Sequence, residues 1–129
     1  RLSSSRLSYY LSSMAVLGGG LSGLGILSSG YVLPLFLGDN YTNSAGILSI
    51  LLLALPYVFM SLLWFTILGA KDLQYLVARA ASLCLLLNVC LNFYLIPRFG
   101  YTGAAWATVA ADFGLWVLLV IFAYQKAFK

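Results

Sequence analysis

The chain has 129 residues, of which 63% are hydrophobic and only 8% are charged. Soluble globular domains are about half apolar and about a quarter charged, so this composition excludes an ordinary soluble domain and favours an integral membrane protein. The formal net charge of +4 comes mostly from residues between long apolar runs, so we assign it to loops beside membrane spans and expect no nucleic-acid partner.

Four apolar runs are each long enough to cross a hydrocarbon core of about 30 Å, which takes about 20 helical residues. We predict helices, because strands with open edges would leave peptide groups without hydrogen bonds in lipid. The predicted spans cover residues 9–37, 45–68, 75–96 and 104–124. The expected fold class is therefore an all-α integral membrane protein with about four transmembrane helices.

The first two spans contain residues that shape a helix. Gly19 and Gly23 are four residues apart in the glycine-rich segment of the first span, a spacing that allows close helix packing. A bent helix that moves during transport is the alternative interpretation. Pro56 lies inside the second span and should kink it, because proline lacks the backbone N–H of a continuous helix.

Polar breaks at residues 38–44, 69–72 and 97–103 separate the spans. With four spans, most basic residues fall on one side of the membrane, and only Arg98 falls on the other. The basic residues on the shared side are Arg1, Arg6, Lys71, Arg79, Lys126 and Lys129. Cytoplasmic loops carry the excess of Lys and Arg, so we predict a multi-pass protein of the cytoplasmic (inner) membrane with both chain ends in the cytoplasm.

The third and fourth spans carry the candidate site residues. Asn88 and Asn92 share one helix face, and Asp112 lies roughly 13 Å into the membrane beyond Gly103. Asn88 lies at a matching depth, so a contact with Asp112 is expected if these spans form an antiparallel hairpin. A carboxylate at this depth costs several kcal/mol unless it is protonated, paired or hydrated. It indicates either an ion or substrate site or a structural hydrogen bond between helices.

Other residues of this hairpin have simpler interpretations. Gly103, Ala107 and Ala111 repeat every four residues and predict a packing seam. Arg79 lies one turn inside the third span and can reach the cytoplasmic interface, where it could contact an anionic lipid or a pyrophosphate. Asn88 and Asn92 either bond between helices or line a substrate cavity.

The sequence offers little for catalysis or metal binding. It contains no histidine, and its two cysteines, Cys84 and Cys90, lie roughly 240° apart on a helix, so they are not expected to pair. We interpret both as small buried hydrophobic residues and predict no metal or cofactor. Without a nucleophile–base pair, paired carboxylates or a phosphate-binding glycine loop, we expect no enzyme.

The segment from Asn88 to Asp112 reads NVCLNFYLIPRFGYTGAAWATVAAD. It resembles the pattern NVxLNxxLIPxxGxxGAAxATxxxE of polysaccharide biosynthesis flippases, which serve O-antigen and exopolysaccharide synthesis and belong to the multidrug/oligosaccharidyl-lipid/polysaccharide exporter superfamily. Weaker similarity extends from Pro34 to Lys129. The chain departs from the pattern at Asp112, where the family usually has Glu, so the charge is kept with a shorter reach.

The resemblance implies a role and a larger assembly. Such flippases have twelve or fourteen helices in two bundles, and this chain would supply about the ninth to twelfth, part of the C-terminal bundle. The implied function is to move a lipid-diphosphate-linked oligosaccharide across the cytoplasmic membrane by alternating access. The implied partners are that substrate, membrane lipids and an N-terminal helical bundle of the same protein. The alternatives are a multidrug or cation antiporter of the same superfamily, or a small structural four-helix membrane subunit.

Overall fold

The computed structural model describes residues 4–37 and 42–126, and every regular element in these ranges is an α-helix. The helices are α1 (Ser4–Leu37), α2 (Thr42–Leu52), α3 (Leu55–Gly69) and α4 (Gln74–Lys126). Three helical stretches are long and apolar enough to cross a membrane, namely Arg6–Val32, Ser44–Gly69 and Gln74–Lys126. The all-α class and the membrane-length helices are therefore confirmed. The first polar turn was predicted at residues 38–44. Residues 38–41 lie outside the described ranges, and residues 42–44 form the start of α2.

The second predicted span is divided at Leu53 and Ala54 into α2 and α3. Pro56 lies in the first turn of α3, where a helix does not need the amide hydrogen that proline lacks. The amides of Leu53 and Ala54 donate to carbonyls three residues earlier, at 3.1 and 3.0 Å, and so close the end of α2. The prediction that Pro56 distorts this span is confirmed.

The turn predicted at 69–72 is confirmed and has a regular capping pattern. The Leu73 N–H donates to the Leu68 carbonyl at 2.9 Å, and the Asp72 N–H donates to the Gly69 carbonyl at 3.2 Å. Together these bonds form a Schellman motif, in which one residue adopts the left-handed conformation. Asp72 takes that position, with a φ of 57°.

α4 consists of two helical arms that meet at Gly100, whose φ of 57° and ψ of −137° are not helical. We call residues 74–99 arm A and residues 101–126 arm B. The arms are antiparallel, because Leu95 lies against Gly103 and Asn88 reaches the Ala107 carbonyl. The predicted break at 97–103 was longer than the one observed. Gly100 alone reverses the chain, because glycine adopts this conformation freely, and the residues on either side of it are helical.

Arm B lies between arm A and the preceding helices. α1 packs on α2 and α3, which in turn pack on α4. The rings of Tyr57 and Phe113 are 5.2 Å apart, and those of Trp64 and Tyr124 are 6.3 Å apart. These contacts join α3 to arm B along much of its length and leave one face of arm A exposed.

The helix ends that carry most basic residues meet at one end of the molecule. A buried cluster there joins Leu7 of α1, Trp64 of α3, Leu76 of arm A and Leu119 of arm B. The described basic residues of this end are Arg6, Lys71, Arg79 and Lys126, and we call it the basic end. Arg98 lies at the opposite end beside the Gly100 turn. Arg1 and Lys129 lie outside the described residues, and which end faces the cytoplasm stays a prediction.

The glycine face that packs in α1 differs from the one expected. Gly19 and Gly23 have open space where a side chain would be, so they do not pack against the helices described, and close packing at this pair stays a prediction. Gly18 and Gly25 make the close contacts instead. A Cβ at Gly18 would lie 2.7 Å from the Pro56 Cα, because the backbone of α1 approaches the α2–α3 break directly.

Candidate functional site

Asn88 and Asp112 lie at the same depth on facing arms. Each is twelve residues from Gly100, which places both roughly 18 Å from the turn along their helices. Both side chains are partly buried, and both line one cleft between the arms with a volume of about 220 Å³. We call this space the Asp112 cleft. Its lining residues are Ala81, Cys84, Leu85, Asn88, Ala111, Asp112 and Leu115.

The two asparagines form a short hydrogen-bonded relay. The Asn92 Nδ2 donates to the Asn88 Oδ1 at 2.7 Å and to the Asn88 carbonyl at 3.0 Å. The Asn88 Nδ2 then donates across the hairpin to the Ala107 carbonyl at 3.5 Å. The predicted bond between helices therefore exists, but Asn88 makes it with the backbone of arm B.

Asp112 takes no part in this relay. Its carboxylate makes no hydrogen bond with any residue in the described ranges. Asn88 and Asp112 share a cleft without the direct bond that their matching depth led us to expect. The reason is the orientation of the Asn88 amide, since its oxygen accepts from Asn92 while its nitrogen reaches Ala107.

The seam predicted on arm B is buried. Gly103, Ala107 and Ala111 are all buried, and Ala111 lines the cleft between the arms. An ideal Cβ at Gly103 would lie 2.7 Å from the carbonyl carbon of Leu95, so the two backbones touch there. This close approach holds the arms near enough for Asn88 and Asp112 to line the same cleft.

Arg79 lies apart from the other candidates. It precedes Asn88 by nine helical residues, which turns its side chain about 180° away and about 13 Å toward the basic end. It is exposed and lines a separate cleft with Ala78, Ser82 and Leu83. Asn92 also lines a second cleft, beside Val89. The structure thus brings Asn88 and Asp112 together and leaves Arg79 on the opposite face.

Cys84 is a residue of the Asp112 cleft that sequence reasoning missed. It is buried and unpaired, and it precedes Asn88 by one helical turn, so the i, i+4 rule could have placed both on one face. Cys90 is also unpaired, as expected, but it is exposed. The interpretation of Cys90 as buried was wrong, because arm A contacts other helices along one side only.

Neither a search for metal ligands nor comparison with known proteins assigns a function to this cleft. No group of three or more His, Cys, Asp or Glu side chains that could hold a metal ion occurs among residues 4–37 and 42–126. Comparisons with protein-family models, with curated proteins and with solved structures found no match.

Proposed function

We propose that this chain is part of a membrane transporter that moves a lipid-diphosphate-linked oligosaccharide across the cytoplasmic membrane by alternating access. The observation that carries the proposal is the Asp112 carboxylate, which lies in a cleft between the two arms of the apolar helix α4. The resemblance of residues 88–112 to polysaccharide flippases supplies the substrate class, and these residues cover both sides of the cleft and the turn that joins them.

The proposal counts four membrane spans. Each arm of α4 has a length of about 39 Å, which exceeds the hydrocarbon thickness of about 30 Å. α1 and the α2–α3 pair supply the other two spans. The basic end then faces the cytoplasm, and the Gly100 turn faces outward with Arg98. Arg98 donates to the Tyr94 hydroxyl and lies 4.0 Å from the centre of that ring, so an aromatic partner shields its charge.

Asp112 suits a transport role better than a structural one. A structural carboxylate would be hydrogen-bonded to the facing helix, whereas Asn88 makes that bond and Asp112 makes none within the described ranges. An unpaired carboxylate at mid-membrane depth is costly, so it is expected to hold a proton, bind a cation or face water. Each of these states changes when a transporter opens to the other side.

The substrate's pyrophosphate needs cations that the Asp112 cleft lacks. Arg79, the nearest candidate of arm A, points away from that cleft. We therefore place the pyrophosphate-binding cations in a second helical bundle, which would face this one across the transport cavity. The chain then acts as one wall of the cavity and contributes the ion-responsive carboxylate.

The test is an Asp112→Asn exchange in the full-length protein, in cells whose surface polysaccharide depends on it. The exchange removes the charge and keeps the volume, so we expect surface polysaccharide to be lost while the protein still inserts in the membrane. Asp112→Glu keeps the carboxylate and should retain export. Asp72→Asn, in the exposed turn, is the matched control and should have no effect. Normal export by the Asp112→Asn protein would contradict a transport role for this carboxylate.

A further inference from the structure

One face of arm A is exposed along its whole length and carries a single charge. Among residues 75–93 of arm A, five lie within about 40° of Arg79 around the helix axis, and we call these five and Arg79 the outer stripe. They are Tyr75, Arg79, Leu83, Leu86, Cys90 and Phe93. All six are exposed, and the exposed fraction is 50% at Tyr75 and 79% at Phe93.

Arg79 has no partner on this face within the protein as described. It makes no hydrogen bond or ion pair with residues 4–37 or 42–126. Beside it is an open cleft of about 420 Å³ that Ala78, Ser82 and Leu83 also line. A guanidinium at the edge of a hydrocarbon layer is stabilised by an anion at the interface, and the cleft has room for one.

We propose that the outer stripe binds an anionic phospholipid of the cytoplasmic leaflet, with the phosphate at Arg79 and an acyl chain along Leu83, Leu86 and Cys90. The distances fit one leaflet. Leu83 lies about 6 Å and Cys90 about 16 Å beyond Arg79 along the helix, while one leaflet of the hydrocarbon core is about 15 Å thick. Tyr75 lies one turn nearer the basic end, where tyrosine favours the headgroup region.

The charge pattern of the outer stripe favours an anionic lipid over a protein helix as its occupant. An anionic headgroup and an apolar tail match one arginine followed by four apolar positions, Leu83, Leu86, Cys90 and Phe93. A protein helix packed on the stripe would need a buried carboxylate to meet Arg79. The inference depends on membrane insertion, as in the proposed function, but it requires no transport.

The test uses Cys90 as a built-in reporter. A Cys84→Ala background leaves Cys90 as the single thiol, which is labelled with bimane in the full chain and reconstituted into vesicles. Quenching by brominated phosphatidylglycerol is then compared with quenching by brominated phosphatidylcholine. One basic side chain near an anionic surface contributes about 1 kcal/mol, so we expect an approximately fivefold preference for phosphatidylglycerol.

Three variants test whether Arg79 causes the preference for phosphatidylglycerol. Arg79→Gln should reduce it to about onefold, because no charge is left to meet the phosphate, and Arg79→Lys should retain most of it. Arg98→Gln, at the other end of the same arm, is the matched control and should keep the full preference. Circular dichroism checks that all variants remain helical.

Three results would overturn the proposal. An equal preference in the Arg79→Gln protein, or none in the parent, would remove the headgroup site. Absence of quenching by either lipid would show that protein covers the stripe. Because the export test at Asp112 is scored separately, none of these three failures contradicts the proposed function.

Discussion

The contact between the two arms of α4 makes Gly103→Ala a demanding substitution. The added methyl would meet backbone atoms of Leu95, and backbone cannot rotate aside as a side chain can. Overpacking of this kind costs about 1–3 kcal/mol, and a backbone obstacle favours the upper value. Alanine regains about 1 kcal/mol of helix propensity over glycine. We therefore expect a net loss of about 2 kcal/mol in the free energy of unfolding.

The assay is unfolding by sodium dodecyl sulfate in mixed micelles, followed by far-ultraviolet circular dichroism. Gly23→Ala is the matched control, because it is also helical and has nothing within 4 Å of its ideal Cβ. That variant should be as stable as the parent or more stable by up to about 1 kcal/mol. Equal effects of the two substitutions would refute the close approach of the arms at Gly103.

The same unfolding assay tests three further substitutions. Gly100→Ala should cost about 1–3 kcal/mol, because its φ of 57° with ψ of −137° is strained for any residue with a Cβ; unchanged stability would contradict the turn. Asp72→Gly should gain about 1 kcal/mol by relieving a left-handed residue with φ of 57°, and a loss would argue against the Schellman motif. Asn88→Ala removes the side-chain bonds of Asn88 to Ala107 and to Asn92 and should cost about 1 kcal/mol, because each such bond contributes about 0.6 kcal/mol in a membrane. A loss above about 2 kcal/mol would show that Asn88 contributes more to stability than these two bonds.

Much of the fold could be predicted from the composition and from single residues with a strong local effect on the backbone. Long apolar runs predict helices because lipid offers the backbone no hydrogen bonds, and Pro56 predicts a break because its effect on a helix is local. The packed face of α1 could not be found in the same way. Gly18, Gly19, Gly23 and Gly25 are equivalent in sequence, and which of them packs depends on where the α2–α3 break lies in space.

In the candidate site, too, some features could be predicted from the sequence and others depended on the three-dimensional packing. The matching depth of Asn88 and Asp112 follows from their equal separation from Gly100, so residue counting was enough to place them together. The missing bond between them could not be predicted, because it depends on how the Asn88 amide is shared between Asn92 and Ala107. The exposure of Cys90 likewise depends on how many helices surround arm A, which no local pattern encodes.

The most direct test of the account is whether arm B crosses the membrane. In a protein without Cys84 and Cys90, single cysteines at Thr102 and Gln125 would be treated in intact cells with an impermeant maleimide. Thr102→Cys, beside the Gly100 turn, should react from outside, and Gln125→Cys, at the basic end, should react only after permeabilisation. Reaction of both cysteines from the same side would contradict a membrane-crossing arm, and the reverse pattern would contradict the proposed orientation.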